Sequence, residues 1–164
     1  MNPGGVHTLH VFTNASGLGY GGGGAYVTSH SSNASSYLLC AKSKLKGSTV
    51  RSTIPKLELS GILFGLELLE KLVNILNPKF SFTSIHLWAD AKVPLSWICS
   101  DIPHSLKYIS SRTQKANTII GKHDVKLHYI ESGSNPADYL MKNFDKIYHV
   151  LPLWMNDPDC IRKN

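Results

Sequence analysis

From residue 6 to 13 the chain is apolar at almost every second position and rarely charged, "VHTLHVFT", which reads as a buried strand. Its end delivers Asn14-Ala15-Ser16 into a glycine-rich turn. Two further strand patterns follow at residues 25–30 and 35–43, with short turn-rich connections that predict an antiparallel meander. Gly17, Gly19 and Gly22 spell GxGxxG. They lead into a strand pattern and not a helix, so no helix N-terminus awaits a pyrophosphate and a dinucleotide site is rejected.

The period then changes. "IPKLELSGILFGLELLEKLVNILNP" repeats Ile62, Leu66, Leu69 and Val73 at helical spacing, with Pro55 suited to the first turn and Asn77-Pro78 to the end. Glu67 and Lys71 stand four apart on the wet side and predict an intrahelical ion pair. Glu58 shares its face with Gly61 and Gly65. Two glycines inside a helix cost roughly 1 kcal/mol each against alanine, so this face predicts a close approach that brings Glu58 towards a sheet. A fourth strand, 84–90, ends on Asp90; a short helix with Pro94 in its first turn follows, then an amphipathic helix closed by Gly121. A fifth strand, 124–130, leads into "SGSNPADYLMKN", read as the start of a last helix. The order β-β-β-α-β-α-α-β-α implies an α/β protein with a mixed sheet, antiparallel at first and parallel through its helical crossovers. Residues 1–143 form the expected domain and 144–164 a tail packed on it or on a partner.

A length of 164 residues with 42% hydrophobic and 17% charged residues suits one globular domain. No apolar run approaches the ~20 residues of a membrane helix, and the N-terminus has no signal-peptide pattern, so an intracellular place, cytoplasm or nucleus, is expected. Cys40, Cys99 and Cys160 lie far apart and read as reduced thiols. The net charge of +6, with Lys42, Lys44, Lys46, Arg51 and Lys56 in one region, invites a polyanion. Nucleic acid and an acidic protein are equally compatible with charge alone.

Glu58 in the first turns of a helix, Asp90 at a strand end and Asp138 before a late helix are the acids at functional-looking positions. Each has a plain alternative: Glu58 and Asp138 also suit a first helical turn. Ends of adjacent strands converge on one edge, so Asp90 and residue 14 are candidate neighbours. Carboxylates gathered this way repel unless a cation sits between them. Oxygen ligands without His or Cys favour Mg²⁺ or Mn²⁺ over zinc, and two-metal phosphodiester hydrolysis uses such a cluster.

The blocks "FTNAS", "TIPKLEL", "LWADAKVPLSWI" and "SNPADYL" resemble, in order, the RNase H-like domain of BEL/Pao-type retrotransposon polyproteins, whose usual forms are FSDAS, TIPRLEL, LWTDSxxVLSWI and DNPADLxSRG. The similarity runs from about His10 to Ile161. It implies the ribonuclease H-like fold, a five-stranded mixed sheet flanked by helices, and hydrolysis of the RNA strand of an RNA–DNA hybrid with two Mg²⁺ ions. Carried over by position, the acidic set is residue 14, Glu58, Asp90 and Asp138. Asn14 stands where the family keeps its first aspartate. Other blocks depart as well: Ala91 for a serine, "YLMKN" for LxSRG, and Tyr129 for a histidine. Three readings follow from this: a catalytically impaired, host-recruited copy that binds nucleic acid or protein; a working ribonuclease H inactivated by design at Asn14; and a protein scaffold. Ser16, Lys56, Arg112 and Asn135 are the expected nucleic-acid contacts.

Overall fold

The strand pattern at residues 6–13 becomes the centre of a sheet. A computed structural model describes residues 6–17, 19–29, 35–45 and 52–138. Strand β1, His7–Ser16, is buried along all but its last two residues, because both of its faces are covered. It pairs antiparallel with β2, Gly19–Ser29, which pairs antiparallel with β3, Ser35–Leu45. On its other side β1 runs parallel to β4, Phe82–Ala89, and β4 parallel to β5, Val125–Tyr129. The sheet order is β3-β2-β1-β4-β5.

Asn14 does not sit in a turn after the first strand: β1 continues through it, and Asn14 pairs with Gly21 just beyond a register shift that starts at Val11. The glycines from Gly19 onward belong to β2 and not to the turn, since Ser16 already pairs with Gly19.

Helix α1, Ile54–Leu76, follows β3, with Pro in its first turn and Asn77 closing it through a bond to Val73 O. Leu59, Ile62, Leu66, Leu69 and Val73 bury its stripe against Leu9 and Val11 of β1 and Ile85 and Leu87 of β4. The two glycines do what their cost demanded. A Cβ on Gly61 would lie 3.1 Å from the Asn14 carbonyl oxygen, and one on Gly65 would overlap the Thr13 methyl. Helices α2, Lys92–Ile98, and α3, Lys107–His123, complete that face. Gly121 does not end α3, as expected from sequence; the helix continues to His123 and is closed by Asp124 in the left-handed region at φ 49°. Nor does Glu67 bond Lys71: it meets Lys115 of α3 at 2.6 Å, while Glu70 meets Lys122 at 2.7 Å. Packing α3 beside α1 offers these carboxylates ammonium groups from a second helix.

The opposite sheet face carries the other set of alternating residues. Phe12, Trp88, Ile130 and Ala137 form a separate apolar cluster there. The expected last helix is represented by two 3₁₀ turns, Ser132–Ser134 and Pro136–Asp138. Its continuation, the 144–164 tail and Cys160 lie outside the described residues. Among the described residues no helix is long and apolar enough to cross a membrane.

Candidate active site

Parallel pairing fixes the edge. Thr13 of β1 aligns with Ala89 of β4, so the next residues, Asn14 within the last paired residues of β1 and Asp90 just past β4, lie side by side towards the carboxyl edge of the sheet, where α/β sheets place ligands. Helix α1 reaches the same edge because Gly61 rests on the Asn14 backbone, and Glu58 lies just under one turn before it. Asp138 arrives on the second 3₁₀ turn. That turn is anchored by Asn135, which donates from Nδ2 to Thr13 O at 2.9 Å and accepts the Ala137 N–H at 3.0 Å.

At the centre is a hydrogen-bonded amide. Asn14, 9% exposed, donates from Nδ2 to Asp138 Oδ1 at 2.7 Å. Its Oδ1 accepts the backbone N–H of Ala15 at 2.6 Å. Burial, and secondarily the charge of Asp90, raise the Glu58 carboxyl above its ordinary value, which places the two acids within electrostatic reach. The structure thus brings Asn14, Glu58, Asp90 and Asp138 to one edge.

These donors do not fit a pair of hard cations. Divalent magnesium or manganese needs several oxygens aimed inward. Asn14 turns its N–H protons towards Asp138 and its oxygen to the Ala15 N–H, so it brings no charge and meets the neighbouring carboxylate with a donor, not an oxygen. One Asp138 oxygen is held by the amide. Among the described residues no three His, Cys, Asp or Glu side chains converge as a metal-holding group.

Of the expected contacts, Lys56 and Arg112 share a ring. Tyr108 of α3 meets Ser60 Oγ of α1 at 2.9 Å; the Arg112 guanidinium lies 3.6 Å from the ring centroid and Lys56 Nζ 5.4 Å from it. Among the described residues neither cation has a carboxylate within ion-pair distance. A groove of about 410 Å³ lined by Lys44, Ser60, Phe64, Glu67, Arg112 and Lys115 runs alongside. Ser16 lies half-buried at the end of β1. Asn135, expected as a nucleic-acid contact, is instead an internal anchor: it is 1% exposed, and its amide is spent on Thr13 and Ala137. Sequence reasoning misses Tyr108, although its position one helical turn before Arg112 on an amphipathic helix is an available signal.

A mixed sheet, a covering helix that delivers an acid, and acids at the ends of β4 and the last turn define a ribonuclease H-like α/β domain. Solved structures agree. RNase H1 from Halobacterium salinarum matches with a TM-score of 0.53 at 14% identity, over 83% of this chain and 94% of that one. LC11-RNase H1, isolated from compost, matches with a TM-score of 0.52 at 16% identity, over 83% and 92%. The chain belongs to the family of Pao retrotransposon-like RNaseH-like domains, whose model matches residues 5–91, from β1 through Asp90. A search of curated proteins gave no match.

Proposed function

We propose that this domain is a Pao-type RNase H-like module with impaired two-metal hydrolysis, retained to bind nucleic acid. One observation carries the reading: the Asn14 amide donates to Asp138 and accepts the Ala15 N–H, so this side chain brings no charge to the edge and engages one Asp138 oxygen itself. Without the first carboxylate we expect a loss of at least ~10³-fold in hydrolysis, about 4 kcal/mol of barrier. The remaining residues suit binding. Lys56 and Arg112 are held on Tyr108 without a carboxylate partner among the described residues, which favours a phosphate backbone. An RNA–DNA hybrid is the expected ligand; RNA alone and a protein partner are the other candidates.

The test is cleavage of an end-labelled RNA–DNA hybrid in Mg²⁺ and in Mn²⁺ by the chain and by Asn14→Asp. General drift, marked by Ala91, Tyr129 and "YLMKN", predicts that the revertant stays weak. Robust cleavage by the revertant would instead favour a working nuclease disabled at one residue, a reading supported by the survival of Glu58, Asp90 and Asp138 at the same edge.

A further inference from the structure

Three imidazoles from adjacent strands stack on the sheet face that α1 does not cover. His10 of β1 and His86 of β4 lie 4.9 Å apart, centroid to centroid, and 15° from parallel. His86 and His128 of β5 are 5.0 Å apart, and His86 Nδ1 and His128 Nε2 are hydrogen-bonded at 2.8 Å. Trp88 lies over His128 at 4.3 Å and donates from Nε1 to His10 Nδ1 at 3.3 Å.

This geometry dictates protonation. His10 Nδ1 accepts a hydrogen bond from the indole N–H and so carries no proton of its own in this arrangement. The His86–His128 bond needs one donor and one acceptor; a proton added to the acceptor nitrogen sets two N–H groups against each other. Like charges brought into a stack of rings are costly in a partly buried site. Trp88 continues the stack to Phe12 at 5.9 Å and packs in one cluster with Ile130 and Ala137. Ala137 immediately precedes Asp138, whose carboxylate accepts the Asn14 amide.

We propose that the imidazole stack is a proton-operated latch on the candidate active site: neutral, it seats the 130–138 segment through Trp88; protonated, it loosens that segment and opens the Asn14–Asp138 closure. The latch deepens the function proposed above and rests on its reading of that closure. Among the described residues, the titratable and charged groups facing the pair are His10 from β1 and Lys126 from β5, while the 130–138 segment contributes the apolar Ile130 and Ala137. Burial, then the neighbouring His128, then Lys126 hold His86 down to about 4; burial and Lys126 also lower His128. With folded values below the unfolded 6.5, the stabilisation is complete above 6.5 and is lost as the pH falls towards 4.

Amide exchange on the full chain tests the latch. The reporters are the Trp88 indole N–H and the Ala15 amide that bonds Asn14 Oδ1. Between pH 6.5 and 5.0 their protection factors should fall together by roughly tenfold, as expected for one imidazole whose proton is refused by the folded state. In His86→Phe/His128→Phe, which keeps the flat rings, both should stay level. Should that variant fail to fold, ¹⁵N titration of the histidines in the unmodified chain decides instead: His86 and His128 must take protons below 6.5, with the Trp88 indole responding. A Trp88 that ignores their titration overturns the latch, as does an unchanged fall in the double variant. An Ala15 amide already unprotected at pH 6.5 overturns the Asn14 closure, and the latch with it. A protected Ala15 that stays level while Trp88 loosens overturns the latch alone.

Discussion

Asn14 shows how one atom changes a site. Replacing a carboxylate oxygen by NH₂ turns a repulsive pair of acids into a donor and an acceptor 2.7 Å apart. Asn14→Asp therefore removes a hydrogen bond and adds a like charge beside Asp138, at a cost of about 1–3 kcal/mol in the absence of metal. Thermal melts in EDTA should show the revertant less stable than the original chain. Glu58 is the counterpart. Its carboxyl is raised, so the folded state binds its proton more readily than the unfolded chain does, and stability suffers while Glu58 is ionised. The penalty is complete well above the raised value and fades as pH falls through it. Glu58→Gln should then stabilise the metal-free domain at pH 7, on the order of 0.5 kcal/mol after solvent screening, with the gain shrinking in melts at lower pH. Little of this is readable from the sequence. Local pattern marks Asn14 as an unusual residue at an acidic position, but the direction of its amide depends on where Asp138 arrives.

Among the elements, α1 is the most legible, because a stripe repeating every three to four residues can bury itself in few ways. Its glycines are legible as a contact, and the contact proves to be β1 at Thr13 and Asn14. Glycine therefore has opposite meanings in two helices. A methyl at Gly65 would overlap Thr13, so Gly65→Ala should cost about 1–3 kcal/mol despite its better helix propensity. Gly121 lies within α3, and a methyl there would meet nothing within 4 Å, so Gly121→Ala should gain up to ~1 kcal/mol. Paired urea melts check both signs. Gly121 is a misleading helix end because Asp124, also able to take φ above zero, stops the helix just beyond His123. Glu67 misleads for a similar reason: local spacing shows Lys71, and only α3 packing supplies Lys115.

For the molecule as a whole, the basic balance becomes meaningful through its distribution. Lys56 and Arg112 come from different helices, with no sequence spacing that relates them, and meet on Tyr108. If they grip phosphates, hybrid affinity should fall steeply with added salt, and Lys56→Gln and Arg112→Gln should each lower the slope of log K against log salt by about 1. Filter binding or fluorescence anisotropy at several salt concentrations gives the measurement. Binding that ignores salt would point to a protein partner. Hydrophobic period and short motifs are local properties, so the strand and helix patterns, the family, and the acids Glu58, Asp90 and Asp138 beside an amide are legible in the residues alone. Folding in three dimensions is what makes Asn14 bond Asp138, turns Asn135 into an internal anchor, and stacks three histidines from separate strands beside Trp88. Each of these depends on sheet register, and register is fixed by pairings between segments that no local pattern records.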